Sequence, residues 1–168
     1  MSAPHKPLDA YRRELLSREG GAGFLPGGHR LVLGYPGTYA EAMASLGFLS
    51  VLRQVNERRG WCAERAVLGG DDPGPLRSLE TDRPVSDYPV LGLSVAYEIQ
   101  LLQVIAFLRR SGLAPLNDTR SLSRQSGRDR SRAAPLVVAG GPLTRINPRP
   151  LGAFVDVCLM GDSEETLP

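Results

Sequence analysis

Polar side chains and glycines directly follow four of the strands that the sequence predicts, and these positions could bind a ligand. In an open α/β sheet the carboxyl ends of parallel strands share one edge, and ligands bind in the crevice there. Two adjacent glycines at 140 and 141 allow a sharp turn and a close approach of a ligand to the backbone. We therefore predict a cofactor-binding crevice lined by Thr38, Tyr39, Ser94, Tyr97, Glu98, Gly140, Gly141, Pro142, Gly161, Glu164 and Glu165.

The polar residues of this set each have a structural interpretation beside the functional one. Thr38 can cap the helix that follows it, with Glu41 as its partner, and the same terminus offers free amides to an anionic group. Glu98 can contact a ligand or serve as a first-turn charge. Glu164 and Glu165 can accept hydrogen bonds from ribose-like hydroxyls or act as charges at a helix start. Neither a Gly-x-Gly-x-x-Gly nor a Walker-type loop is present, so dinucleotide and nucleoside triphosphate fingerprints are absent.

The sequence predicts no catalytic residue and no metal site. Both histidines, His5 and His29, precede the predicted domain. The two cysteines, Cys62 and Cys158, are too few for a four-cysteine zinc site or for an iron–sulfur cluster. Each lies in an apolar stretch, so we expect free, buried thiols.

Composition limits the partners. The chain has 168 residues and a net charge of +2, which is too small for an electrostatic footprint of nucleic-acid binding. The first residues lack the apolar core of a signal peptide, and no apolar run is long enough to span a membrane. We therefore expect a cytoplasmic protein that binds neither nucleic acid nor a membrane.

Apolar runs and helical periodicity alternate along the chain. Two stretches, 41–59 and 98–111, have apolar residues at helical spacing, among them Leu46 and Leu102, which we expect on the buried faces of the two helices. Five shorter apolar runs have the pattern of buried strands. This alternation predicts an α/β fold with a doubly wound, mostly parallel, five-stranded sheet, and leaves the strand order open. The predicted strands are 31–35, 62–68, 90–95, 136–139 and 155–160.

Two stretches stand apart from this rhythm. Residues 1–29 form an N-terminal leader with a short helix at 8–18, before a domain at 30–168. Within that domain, residues 117–134 carry five arginines among serines and one large apolar residue. Such a composition cannot bury much surface, so we expect a flexible, disordered insertion there.

Several motifs occur in an order that resembles a largely uncharacterised family of radical SAM proteins. Family members typically read Pro-Asp-Thr-Tyr after the first strand, then Gly-Met-Ser-Asn-Leu-Gly. Here the chain reads Pro36-Gly37-Thr38-Tyr39, then Met43-Ala44-Ser45-Leu46-Gly47, so Gly37 replaces the aspartate. The likeness covers roughly residues 30–168 without the arginine–serine stretch at 117–134. It continues at Ser78-Leu79-Glu80-Thr81, Arg83-Pro84, Gly92-Leu93-Ser94-Val95-Ala96-Tyr97-Glu98, Ala139-Gly140-Gly141-Pro142, Asn147-Pro148, Pro150-Leu151 and Gly161-Asp162-Ser163-Glu164-Glu165.

The resemblance implies a flavodoxin-like, cobalamin-binding-like N-terminal domain that precedes a radical SAM barrel. S-adenosylmethionine and a four-iron cluster would then belong to that downstream barrel, and this chain alone would not be catalytic. The Asp-x-His-x-x-Gly loop that supplies cobalt with a histidine in many cobalamin domains is missing. Cobalamin would therefore bind, if at all, without a protein histidine ligand.

Two alternatives remain open at this point. The chain could be an independent small flavodoxin-like ligand-binding protein or enzyme, for example a flavin binder. It could also be a docking subunit whose radical SAM barrel is encoded separately. If the crevice binds a ligand, we expect Gly141→Val to abolish binding and to leave the fold largely intact.

Overall fold

The computed structural model describes residues 16–17, 28–69, 74–126 and 134–163. Its strands form one five-stranded parallel sheet in the order β2-β1-β3-β4-β5. The predicted α/β fold with a parallel sheet is confirmed, and the order that the sequence left open is the flavodoxin-like one. The strands are β1 His29–Tyr35, β2 Trp61–Val67, β3 Val90–Ser94, β4 Leu136–Gly140 and β5 Val157–Cys158.

Helices connect the strands, and short 3-10 turns introduce or complete several of these connections. The 3-10 turns are Val85–Asp87, Glu98–Gln100 and Arg149–Leu151. The α-helices are α1 Tyr39–Ala44, α2 Leu46–Glu57, α3 Leu101–Arg110, α4 Asn117–Ser126 and α5 Pro142–Ile146. No helix in the described part of the chain is long and apolar enough to span a bilayer.

The single helix predicted over 41–59 is two helices that meet at Ser45. The Ser45 backbone is extended, with φ −84° and ψ 102°, and its hydroxyl accepts a hydrogen bond from the Phe48 amide at 3.4 Å. A serine side chain that bonds a nearby amide competes with the helical ladder and favours a cap. The break therefore has a local cause that apolar periodicity does not reveal.

Alternating side chains of the strands feed two cores, one on each face of the sheet. The face covered by α1 and α2, here called the α2 face, buries Leu33, Phe48 and Val55 among others. The opposite face, called the α3 face, buries Val32, Leu91 and Phe107. On the α2 face, Leu136 and Val157 of the β4–β5 half remain 41% and 40% exposed. Their partial exposure shows that described residues cover the two halves of that face unequally.

A turn formed by residues 78–81, here called the edge clamp, covers the outer edge of β2. The Leu79 amide donates to the carbonyl oxygen of Arg65 at 2.7 Å, and the Arg65 amide donates to the Glu80 carboxylate at 2.7 Å. The Arg65 guanidinium also pairs with Glu80 at 2.6 Å, and both side chains are nearly buried. On the other side of the strand, Thr81 donates to Glu64. The clamp thus satisfies backbone groups that an edge strand otherwise leaves open.

The prediction of a disordered insertion over 117–134 is wrong for its first part, because residues 117–126 form α4. Arg120 is 1% exposed. Its guanidinium donates to the carbonyl oxygens of Ala114, Pro115 and Phe154 at 2.6–2.7 Å. Charged side chains that are hydrogen-bonded can be buried, so the low hydrophobicity of this stretch did not prevent residues 117–126 from forming a helix. Residues 127–133 lie outside the described part.

Of the predicted leader, only Leu16, Ser17, Gly28 and His29 are described. Leu16 and Ser17 are helical, and His29 begins β1 rather than preceding it. The remaining part of the predicted helix at 8–18 lies outside the described residues.

Candidate functional site

The strand order places the predicted crevice at a defined point of the sheet. β1 pairs with β2 on one side and with β3 on the other, so the connections that leave β1 and β3 diverge to opposite faces. This is the topological switch point, where open α/β sheets bind ligands beyond the carboxyl ends of the strands. The loop after β1 and the loop after β3 therefore flank one crevice.

The loop after β1 is closed on itself. The Thr38 amide and hydroxyl both donate to the Glu41 carboxylate, at 2.6 and 2.8 Å, while the Glu41 amide donates to the Thr38 hydroxyl at 3.3 Å. The Thr38 amide, and then its hydroxyl, lower the pKa of Glu41 below its ordinary value. Thr38 is exposed and Tyr39 is half-buried. The capping interpretation of Thr38 is therefore correct, and its hydroxyl is already used locally.

The loop after β3 is ordered by a residue that the sequence did not single out. The side-chain oxygen of Gln100, 8% exposed, accepts from the amides of Ala96 and Tyr97 at 2.7 and 3.1 Å. Glu98 is exposed and accepts from the Asn147 amide group at 3.0 Å. A glutamine three residues after the N-cap residue Tyr97 is the sequence signal of this capping arrangement.

The β4 loop lies directly beside the β3 loop. Ser94 pairs in register with Gly140, and the Val95 amide donates to the Gly140 carbonyl oxygen at 2.9 Å. Pro142 occupies the first turn of α5 and is exposed. The structure therefore brings the predicted residues after β1, β3 and β4 to one edge.

The two glycines of this loop differ. Gly141 has φ +106°, and a Cβ there would lie 2.7 Å from the Val95 carbonyl oxygen. At Gly140 a Cβ would meet no atom within 4 Å. The expectation that Gly141→Val leaves the fold intact is therefore wrong, because the backbone of Val95 leaves no space for a side chain. Gly140, in contrast, faces open space at the carboxyl end of β4.

The fifth group of predicted residues is only partly described. Gly161 is exposed and has φ +114°. Glu164 and Glu165 lie outside the described residues. Ser163, which precedes them, contacts Gln54 of α2 with 2.9 Å between its hydroxyl and the amide nitrogen.

A small pocket lies elsewhere, at the amino ends of β1 and β2 on the α2 face. It has a volume of about 100 Å³ and is lined by Leu31, Gln54, Val55, Arg58 and Trp61. The Trp61 ring lies 5.1 Å from the His29 ring. The sequence prediction considered only the turns that follow the carboxyl ends of strands, so it did not include a pocket at their amino ends. Its sequence signal is a lone tryptophan at 61, separated by Gly60 from the arginines at 58 and 59.

Neither cysteine contributes to the crevice. Cys62 is buried in β2, Cys158 is half-buried in β5, and neither cysteine forms a disulfide. Burial raises the pKa of the Cys158 thiol. Among the residues that the structure describes, no three His, Cys, Asp or Glu side chains are grouped so that they could hold a metal ion.

The fold defines a flavodoxin-like α/β module with a crevice at the carboxyl edge of its sheet. Residues 47–168 match the family described as Radical SAM proteins, N-terminal, and because this is more than half of the chain, the chain belongs to that family. The match begins within α2, so Thr38 and Tyr39 precede it. Comparisons with curated proteins and with solved structures gave no match.

Proposed function

We propose that this chain is a non-catalytic N-terminal module that docks a radical SAM barrel, in cis or in trans, through the carboxyl edge of its sheet. The observation that supports docking is a group of large apolar side chains in the β3 and β4 connections. Tyr97, Ile99, Leu102 and Ile146 are 69%, 81%, 76% and 77% exposed. Contiguous exposed apolar groups are typical of surfaces that contact another protein.

The connections that carry these side chains are held in place before any partner binds. The Glu98–Asn147 hydrogen bond, at 3.0 Å, joins the β3 connection to the residue that follows α5. The Gln100 side chain accepts from the amides of Ala96 and Tyr97 and so fixes the backbone that leads into Tyr97. A surface that is already ordered loses less conformational entropy on binding, which favours association.

Several polar groups at this edge are engaged in structural contacts, which supports a binding role rather than catalysis. The Thr38 hydroxyl and Glu41 bond one another. The Thr144 hydroxyl lies 2.8 Å from the carbonyl oxygens of both Gly141 and Leu159. In this proposal S-adenosylmethionine and the four-iron cluster are bound by the barrel.

The test uses a separately expressed radical SAM barrel domain with a Cys-x-x-x-Cys-x-x-Cys loop as the probe. We expect the Ile99→Asp, Leu102→Asp double variant to lose most of its affinity for the barrel in calorimetry. Leu122→Asp, on α4 and 66% exposed, is the matched control and should bind like the parent chain. Equal binding by all three proteins would contradict the proposal.

Cobalamin is the second candidate, favoured by the open space beside Gly140, at the carboxyl end of the strand next to β3. His29, the one histidine within the described residues, begins β1 at the opposite edge. The crevice thus fits cobalamin only without a protein imidazole on cobalt, and would hold it through the loops after β1, β3 and β4.

Cobalamin binding is tested by titrating the purified chain and following its retention and visible spectrum. Gly140→Leu should abolish retention because the new side chain fills the crevice, whereas Leu122→Asp should not change it. No retention by the parent chain would exclude this candidate and leave the docking proposal untouched. A yellow protein on purification would instead favour a flavin-binding protein or enzyme.

A further inference from the structure

The pocket at the amino ends of β1 and β2 has no role in the docking or cofactor proposals. Its walls are formed by Leu31, Gln54, Val55, Arg58 and Trp61. We propose that this pocket binds a small ligand made of one six-membered aromatic ring and an anionic group, either a carboxylate or a phosphate. The pocket lies at the edge of the sheet opposite the docking surface, so this proposal is independent of the proposed function.

Hydrogen bonds hold the walls of the pocket in place. The Asn56 side chain joins the end of α2 to β2, because it accepts from the Ala63 amide at 2.7 Å and donates to the Ala63 carbonyl oxygen at 3.2 Å. The turn between α2 and β2 is joined to β1, because the His29 amide donates to the Gly60 carbonyl oxygen at 2.8 Å. The pocket is therefore formed before a ligand binds, which lowers the entropic cost of binding.

The size and lining of the pocket favour a single aromatic ring. An apolar cavity of about 150 Å³ holds one benzene molecule. This pocket, with a volume of about 100 Å³, is smaller, but it opens to solvent beside Trp61, which is 41% exposed. The Trp61 and His29 rings lie 5.1 Å apart, with 39° between their planes. A ligand ring that enters the pocket therefore packs against apolar walls and an exposed indole, and aromatic rings attract one another at such distances.

Positive charge at the pocket favours an anionic ligand. Arg58 lines the pocket and Arg59 follows it in the chain, and both are exposed. Within the described part of the chain, neither guanidinium has an ion-pair partner. The neighbouring carboxylate, Glu57, pairs with Arg53 instead, at 3.9 Å. Complementary charge steers an anion to this end of the sheet and selects it over a neutral ligand.

Arg58 is the residue that we expect to contact the anionic group. Gln54 is the other polar residue of the lining, but its amide nitrogen already donates to the hydroxyls of Ser50 and Ser163, at 2.9 Å each. An arginine can donate two parallel hydrogen bonds to a carboxylate or a phosphate, and such bonds between charged groups are stronger than neutral ones.

The test follows the indole N–H resonance of the isotope-labelled full chain by NMR, which is unique because Trp61 is the only tryptophan. Benzoate and uridine monophosphate are the probes, and they distinguish an aromatic acid from a nucleotide as the ligand. We expect at least one of them to shift the resonance until it saturates. The uncharged analogues, benzyl alcohol and uridine, should bind about tenfold more weakly than their charged counterparts. Cyclohexanecarboxylate, which lacks the aromatic ring, should bind about threefold more weakly than benzoate.

A pair of arginine variants tests the role of Arg58. Arg58→Gln should weaken binding about tenfold, because the charge-assisted hydrogen bonds are lost. Arg53→Gln, on the same helix but outside the pocket lining, is the matched control and should bind like the parent chain. Circular dichroism establishes that each variant is folded. The proposal would be overturned if neither probe shifted the resonance, if the uncharged analogues bound as tightly as the probes, or if a folded Arg58→Gln variant kept the parent affinity.

Discussion

At the scale of single residues, Gly140 and Gly141 have opposite roles although they are neighbours. Gly141 combines a left-handed φ with contact to the Val95 backbone, so its lack of a side chain serves the fold. Gly140 faces open space, so its lack of a side chain leaves room at the crevice. The sequence predicted a turn here, but not which glycine is structural, because both precede the helix in the same motif.

We expect Gly141→Ala to lower the free energy of unfolding by about 1–3 kcal/mol or more, from backbone strain and the clash with Val95. Gly140→Ala should change it by only about 0.5 kcal/mol, as at an unconstrained site. Urea denaturation followed by circular dichroism measures both. Similar losses for the two variants would show that Gly140 is constrained as well.

At the scale of elements, polar contacts explain where the sequence prediction was wrong. The prediction treated the Arg/Ser-rich stretch as disordered because it counted only apolar side chains. Yet Arg124 pairs with Asp156 at 2.6 Å, and Asp156 also accepts from the Val137 amide. These contacts join α4 to the β4–β5 region across more than thirty residues of chain, and no local pattern reveals such partners.

Asp156 should make stability depend on pH. Burial raises its pKa, but the hydrogen bonds from Arg124 and the Val137 amide, with the nearby Arg120, lower it overall below its ordinary value of 3.8. A lowered folded-state pKa adds stability that is complete above about pH 4 and is lost as pH falls through the folded-state pKa. Asp156→Asn should remove this dependence and cost roughly 3 kcal/mol near neutral pH, because Arg120 stays buried without its counter-charge.

Denaturant titrations between pH 2 and pH 7 measure how the free energy of unfolding depends on pH, for the parent chain and for the Asp156→Asn variant. An Asp156→Asn variant with the same acid sensitivity as the parent would show that other carboxylates control acid unfolding. Asp118→Asn, an exposed residue of α4, provides the control and should retain the parent slope.

The edge clamp gives a motif of the family a structural role. Ser78-Leu79-Glu80-Thr81 is one of the motifs that resemble the family, and in the structure it covers β2. Glu80→Ala should cost roughly 3–5 kcal/mol, since it leaves Arg65 buried without its partner. Glu57→Ala, which removes an exposed ion pair with Arg53 at 3.9 Å, should cost less than about 1 kcal/mol. Thermal unfolding measures the stability of the two variants. An equal loss of stability in both would contradict this role of the clamp.

The predicted helix faces were correct only in part. Periodicity placed Leu46 and Leu102 on buried faces, but they are 83% and 76% exposed. Both lie in the first turn of a helix at the carboxyl edge, where the helix has not yet reached the sheet. Periodicity identifies the apolar side of a helix but not the point along it where packing begins.

At the scale of the whole molecule, the α2 face is covered over β1 and β2 but leaves Leu136 and Val157 partly exposed on the other half. We expect weak, concentration-dependent self-association through this surface. The double variant Leu136→Lys, Val157→Lys should shift sedimentation toward the monomer. A parent chain that is monomeric at every concentration would contradict this expectation.

The two edges of the sheet also differ in whether a strand from another molecule can pair with them. β2 is closed by its own chain, whereas β5, at the other edge, is two residues long and is followed by the exposed Leu159 and Met160. Within the described part of the chain, a strand from another molecule could therefore be added at only one end of the sheet. Two chains joined through β5 would carry a closed edge at each outer end. Association by strand addition would stop at a dimer. The edge clamp would thus prevent the growth of fibres as well as stabilise the fold.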